Sequence, residues 1–184
     1  MSDDDRARWD RRYADRETVS NGDVALPAFL QPFVEILPTA GSAIDLACGR
    51  GGAAVWLAQR GLRVWGCDVS PVAVTQARAL AEHCGVAARC RFEIVDLDDG
   101  LPAGASADLL ICNRFRDSRL DQSILKRLSG GGLLAISALS EVGASPGPFR
   151  ARAGELLQAF GGLDVIEARE ANGEAWLVAR ARNG

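Results

Sequence analysis

The chain has 184 residues, 48% of them hydrophobic, with 21 basic and 24 acidic side chains for a net charge of −3. That suits one domain with a full core and excludes a disordered chain. It also argues against broad nucleic-acid binding, which shows as a basic domain.

Residues about 6–16 alternate in charge sign and read as a solvated helix, with Trp9 and Tyr13 four apart on one face. Residues 26–37, LPAFLQPFVEIL, read as a second amphipathic helix, broken at Pro32. Strands and helices then alternate. SAIDLA is a strand, 52–60 a helix, and LRVWGCD a strand ending in an acid. Ser70 and Pro71 supply an N-cap and a first helical residue. Ala73, Ala77, Leu80, Ala81 and Cys84 then mark one buried helical face, which Gly85 ends. CRFEIV (90–95) is a strand followed by Asp96, and ADLLIC (107–112) a strand followed by Asn113. Leu120, Ile124, Leu125 and Leu128 mark a helix ended by Ser129 and three glycines. LLAISAL (133–139) is a strand, 140–149 a Gly/Pro/Ser-rich loop, and GELLQAF (154–160) a helix. LDVIEARE and EAWLVARAR flank Asn172-Gly173, a strong hairpin signal.

This order predicts an α/β fold: a doubly wound, mostly parallel seven-stranded sheet with a C-terminal antiparallel hairpin. Residues 1–40 precede the first strand and are expected to form a helical cap on a domain spanning 41–184. The cysteines, Cys48, Cys67, Cys84, Cys90 and Cys112, have no CxxC spacing, and His83 is the sole histidine. Reduced thiols, no metal and a cytoplasmic location are expected. No apolar run is long enough to span a membrane, and the charged N-terminus does not read as a secretory signal.

In a doubly wound sheet, ligands bind beyond the carboxyl ends of the strands. Four successive strands carry polar residues there: the glycine loop after Asp45, then Asp68, Asp96 and Asn113. The loop lets a ligand approach bare backbone with a helix N-terminus behind it. An acid placed as Asp68 is, 17 residues beyond Gly51, can accept both hydroxyls of a ribose. Asp96 can accept from an adenine amino group. Two adenosine cofactors fit, NAD and S-adenosylmethionine. The NAD reading explains neither Asp45 nor Asp96, and its third glycine would be Ala54.

DLACGRGG, then GCDVS, then VDLDD resembles the class I S-adenosylmethionine-dependent methyltransferases over about residues 40–182. Their Rossmann-like loop pattern is acid-x-Gly-x-Gly-x-Gly; Asp45, Gly49 and Gly51 match it, and Ala47 stands at its first glycine. The WDRRY opening is similar to the smaller tellurite-resistance and thiopurine-type branch. The resemblance implies S-adenosylmethionine as cofactor. It implies the loop Ala47, Cys48, Gly49 to Gly51 against the methionine part and Asp45 orienting the loop or drawing the ammonium group. It further implies Asp68 on the ribose, Val69 on the adenine, Asp96 and Leu97 at the adenine edge, and Asn113 near the sulfonium and the acceptor.

Methyl transfer from a sulfonium needs mainly proximity and alignment. His83 reads as a helix-terminal residue rather than a base. The expected acceptor is therefore a small molecule, soft or already anionic, with Arg114 and Arg116 available to an anion. Asn113-Arg114-Phe115-Arg116 lacks the prolines of the N-P-P-Y motif of amino-methylating enzymes. Trp9 and Tyr13 are candidates to close over the acceptor. The alternative is a non-catalytic domain that binds S-adenosylmethionine as a sensor or partner subunit.

Overall fold

The computed structural model describes residues 3–14, 20–147 and 150–183. The expected helix end at 15–16 and Pro148 and Phe149 of the expected loop lie outside them. The chain forms two compact units, Met1–Gly100 and Leu101–Gly184.

The first unit opens with α1 (Asp3–Ala14) and a 3-10 helix over Ala28–Ile36. The second amphipathic helix is thus 3-10, not α. Pro32, inside the segment, removes an amide that an α-helix would use, while Leu26, Leu30, Phe33 and Leu37 still bury one stripe. Then follow β1 (Ser42–Leu46), α2 (Gly52–Gln59), β2 (Arg63–Asp68), α3 (Pro71–His83) and β3 (Cys90–Ile94). The strands are parallel in the order β3-β2-β1, with Asp45 beside Gly66 and Asp68 beside Ile94. A Cβ on Gly66 would lie 2.8 Å from the Phe92 ring, which explains a glycine inside a strand. The α3 start is as expected: Ser70 Oγ accepts from the Ala73 amide at 3.1 Å and Pro71 opens the helix. Ala73, Val74, Ala77, Leu80 and Ala81 are its buried face.

The second unit holds β4 (Ala107–Cys112), α4 (Asp121–Lys126), β5 (Leu128–Ser140), β6 (Arg150–Ala151), α5 (Glu155–Phe160), β7 (Asp164–Ala171) and β8 (Glu174–Arg180). The sheet order here is β4-β5-β8-β7, with β6 also on β5. β4 and β5 run parallel; β8 is antiparallel to both neighbours. Asn172 and Gly173 both have positive φ, +55° and +79°, as a tight I′ hairpin turn requires.

The run Ser129–Gly132 differs from expectation, lying inside β5 rather than ending a helix. The β4–β5 register shifts between Ala107 and Leu109, and Ser129 Oγ donates to the Ala107 carbonyl at 3.0 Å. A Cβ on Gly132 would meet that same carbonyl oxygen at 3.0 Å, so the glycines accommodate an irregular pairing. The Arg116 side chain is 4% exposed, and its Nε donates to Glu155 at 2.7 Å while Nη2 donates to Asp121 at 3.0 Å. Its guanidinium lies over Phe160. These bonds tie the segment after β4 to α4 and α5. Arg116 is thus committed to two carboxylates and is not available to an anionic acceptor.

Candidate functional site

The acid in the apolar strand is the first feature. Asp45 is 2% exposed and its Oδ2 has no hydrogen-bond partner. Burial, then repulsion from Asp68, pushes its carboxyl up to about 7, opposed by the Ala54 amide. A strand interior has no water to offer an ionised oxygen, so this orphan marks a place made for a cation or a donor.

The loop after β1 is built from backbone. The Cys48 amide donates to the Cys67 carbonyl at 2.9 Å and the Gly51 amide to the Cys48 carbonyl at 3.0 Å. Ala47, Gly49 and Gly51 all have left-handed φ, +52°, +53° and +78°. Glycine suits that region, and alanine there costs about 1–2 kcal/mol. Replacing Ala47 by Gly relieves the strain but loosens the unfolded chain by about 0.4–1 kcal/mol. The net expectation for Ala47→Gly is a gain of roughly 0.5–1 kcal/mol, a rise in Tm of about 1–4 °C by thermal denaturation.

Asp68 closes the loop from the next strand. It is 6% exposed; its Oδ2 accepts the Gly49 amide at 2.9 Å and its Oδ1 the Ser70 amide at 3.0 Å. Burial raises its pKa, against the pull of those amides. Beside it, Val95 donates to the Asp68 carbonyl, and Asp96 then caps a short turn by accepting from the Asp98 amide at 3.0 Å. Val69 and Leu97 are buried. Burial pushes the Cys48 thiol well up and the Cys67 thiol to about 12, which disfavours the thiolate of either.

The helix α1 lies against this loop. Ser70 Oγ donates to Asp10, and Gln76 donates to the Tyr13 carbonyl at 3.0 Å. The Trp9 and Tyr13 rings stack with centroids 6.0 Å apart. A Cβ on Gly49 would stand 2.9 Å from the Tyr13 hydroxyl, so Tyr13 uses the bare backbone there. A Cβ on Gly51 would meet Ala77 at 2.8 Å, a packing reason. The first unit therefore gathers Asp45, Ala47, Cys48, Gly49, Gly51, Asp68 and Val69, with Tyr13 above them. Asp10 was not foreseen: on a helix of mixed charge nothing distinguishes one acid.

The second unit carries Asn113 and Arg114. Asn113 Oδ1 accepts from Ser137 Oγ at 2.8 Å, and the Arg114 amide donates to the same Oγ at 3.0 Å. The Arg114 guanidinium pairs with Glu174, both more than half exposed. Ser137 was also unforeseen; its signal was a lone hydroxyl in the apolar run 133–139. His83 is exposed at the far end of α3 from Ser70, about 20 Å along the helix axis. With Val24, Trp56, Gln59 and Cys84 it lines a surface groove. None of the five cysteines is in a disulfide, and among the described residues no cluster could hold a metal.

Residues 43–132 match a family model described as "Methyltransferase domain". The chain carries a methyltransferase domain. TehB from Haemophilus influenzae is similar at 16% identity and a TM-score of 0.77, over 95% of this chain and 67% of that one. Magnesium protoporphyrin IX methyltransferase from Synechocystis, solved with bound S-adenosylhomocysteine, matches at 17% identity and TM-score 0.69, over 97% of this chain and 94% of that one. An S-adenosylmethionine-dependent methyltransferase from Mesorhizobium loti matches at 20% and 0.68, over 83% of this chain and 98% of that one. No curated protein matches the sequence significantly. At these identities the solved structures speak for the fold, the Rossmann-like methyltransferase sheet that the order of elements predicts. The cofactor of this methyltransferase is S-adenosylmethionine. Among its described residues no helix is long and apolar enough to cross a membrane.

Proposed function

We propose that this methyltransferase acts on a small, soft or anionic acceptor, with the loop after β1 and the end of β2 as its cofactor cradle. The buried, unpartnered Oδ2 of Asp45 carries the proposal. A carboxylate so placed fits the ammonium of a bound amino acid group, and the loop amides fit its carboxylate. When bound, S-adenosylmethionine supplies a methyl group already activated by a sulfonium charge. Asp68 holds the ribose hydroxyls, Val69 packs on the adenine, and Asp96 with Leu97 meets its edge. Asn113 faces the acceptor. Residues 1–40 act as a cap, with Trp9 and Tyr13 in the lid. The WDRRY opening, and TehB among the similar structures, support the smaller tellurite-resistance and thiopurine-type branch.

His83 lies far from the cradle along α3, and Cys48 and Cys67 are held as thiols. An acceptor that arrives without a high-pKa proton requires no general base. That supports a thiolate, a carboxylate or a selenium or tellurium oxyanion. Calorimetry with S-adenosylhomocysteine, then turnover of labelled S-adenosylmethionine over a panel of such acceptors and amines, tests the proposal. Cofactor binding with no turnover of any member would favour the sensor reading instead.

Asp45 also gives a pH signature. Its folded carboxyl lies near 7, above the unfolded value of 3.8. Its stabilising contribution is therefore complete below about 4 and is lost as pH rises through 7. Asn mimics the protonated acid, so Asp45→Asn should raise the Tm of the unliganded protein at pH 8 by several degrees and leave it nearly unchanged at pH 4. Affinity for S-adenosylhomocysteine should rise with pH between about 5 and 8 in the wild type, as the ammonium favours ionised Asp45, and lose that dependence in the variant. A flat wild-type profile overturns the assignment.

A further inference from the structure

β7 is the last strand in the sheet order and pairs with β8 alone. The hairpin decides which of its backbone groups face the open side. Ser140 donates to the Gly173 carbonyl at 2.8 Å, so Gly173 faces β5 and Glu174, the next residue, faces β7. Hydrogen-bonded and open pairs alternate along an antiparallel ladder. Ala171, Arg169 and Glu167, opposite Glu174, Trp176 and Val178, therefore spend their amides and carbonyls on β8. Ala168, opposite Leu177, and Glu170, opposite Ala175, turn theirs to the open edge. Side chains alternate as well. Glu170 accepts from Ser140 Oγ at 2.6 Å and from the Gly154 amide at 2.8 Å, which puts Ala168 and Glu170 on the α5 face. Glu167 and Arg169 share the opposite face. Both are exposed, and among the described residues neither makes an ion pair or a side-chain hydrogen bond. Large apolar side chains also reach solvent here: Leu157 on α5 is 50% exposed, Val165 38% and Ile166 42%.

We propose that the open edge of β7 pairs with the same edge of a second copy of this chain, antiparallel and two-fold, with Ala168 opposite the partner's Ala168. A two-fold contact is self-complementary, so one residue of the strand meets its own copy at the axis. Charge selects which one. Centred on Ala168, the pairing sets each Glu167 opposite the partner's Arg169, twice over. The backbone of both residues faces β8, so across the edge they form the open kind of pair, in which side chains stand closer. The outward amide and carbonyl of Ala168 exchange two hydrogen bonds with their copies. Centring on Glu167 or on Arg169 instead sets like charges against each other at the axis. On the α5 side the junction lies beside Leu157, which shares a groove with Ala168 and Glu170. The β7–β8 register shifts between Val165 and Glu167, and that bulge ends the regular ladder. The contact is therefore short and suits a transient dimer. The other edge strand, β3, differs: Arg91 and Trp65 both donate to Glu93 at 2.6 Å, so its charges are spent within the chain.

Sedimentation equilibrium of the full chain, from about 10 to about 300 μM, tests this over the range expected of a transient contact. At the upper end the wild type should approach twice the 19.5 kDa of one chain, and less so in high salt. Glu167→Arg sets an arginine against each Arg169, and Arg169→Glu sets a glutamate against each Glu167. Each variant alone should stay monomeric. An equal mixture of the two should associate at least as tightly as the wild type, because every pair across the edge is then opposite in charge. Both positions are exposed, so both variants should keep the wild-type circular dichroism. Ala168→Pro removes an amide that β8 does not use, a place where an edge strand tolerates proline, and should abolish the dimer in a folded protein. A wild type that stays monomeric throughout, a dimer that survives either charge reversal, or a mixture of the two folded variants that fails to associate overturns the inference.

Discussion

Asp68→Ala is expected to lower the affinity for S-adenosylhomocysteine at least tenfold and to destabilise the protein as well. On the proposed cofactor reading Asp68 accepts both ribose hydroxyls, and its loss then removes two charge-assisted hydrogen bonds of about 1.5–3 kcal/mol each. The structure adds a second cost. The same carboxylate accepts the Gly49 amide at 2.9 Å and the Ser70 amide at 3.0 Å, so alanine leaves two buried N–H groups without their acceptor. An orphaned buried donor costs about 1–3 kcal/mol. That is survivable within a total stability of about 5–15 kcal/mol, though not silent. Asp68→Asn separates the two effects. Its amide oxygen can still accept one loop amide, so it should retain more stability while still losing most of the ribose affinity. Calorimetry and thermal denaturation of both variants check this. Unchanged affinity in Asp68→Ala with a lowered Tm would make Asp68 a loop cap only, and the ribose partner would have to be sought at Asp96. Asp96 caps its own turn through the Asp98 amide, and Asp96→Asn should have the smaller effect on affinity.

The elements were legible where one local cause dominates. Alternating apolar strands and helices predict β1 to β4 within a residue or so, because both faces of β1, β2 and β4 largely bury, while β3 buries Phe92 alone. Asn172-Gly173 predicts the hairpin because two successive positive φ angles admit few residues. What escaped has non-local causes. The glycines of 130–132 look like a helix stop, yet they serve an irregular pairing with Ala107 that only the folded sheet defines. LPAFLQPFVEIL has the apolar spacing of an α-helix, but Pro32 inside it interrupts the α ladder and the segment is 3-10. The site divides in the same way. Asp45, Gly49, Gly51 and Asp68 stand out in sequence because a strand seldom ends in an acid and a run of glycines. Asp10, Ser137 and the closure of Arg116 by Asp121 and Glu155 depend on partners 60, 24 and up to 39 residues away, and nothing local announces them. Arg116 is the instructive case: an arginine after a strand end reads as an anion site, and its two carboxylate partners remove it from that role.

Deleting residues 1–19 is the other change with a large expected effect. The rest of the first unit keeps its three strands, with α2 and α3 packed on them. The truncated protein should therefore fold, with circular dichroism reduced only by the lost helix. What it loses is specific. Ser70 Oγ loses Asp10 but keeps the Ala73 amide, so the α3 cap survives. Gln76 loses the Tyr13 carbonyl, and Gly49 loses the Tyr13 hydroxyl that lies over its bare backbone. The loop that α1 covers becomes open to water. Positioning of the reacting groups can be worth about 7–11 kcal/mol of barrier, and a cradle open on one side forfeits part of it. The expected result is at least a tenfold loss in S-adenosylhomocysteine affinity and a loss of methyl transfer greater than that, since water exclusion bears on the reaction more than on binding. Trp9→Ala and Tyr13→Phe refine the outcome. The first removes the ring stacked on Tyr13 and should cost affinity by loosening the lid; the second removes only the hydroxyl over Gly49 and should leave the helix docked. Full turnover by the truncated protein would show that α1 packs on the domain without covering the chemistry, and the role of lid would pass from Trp9 and Tyr13 to another part of the chain.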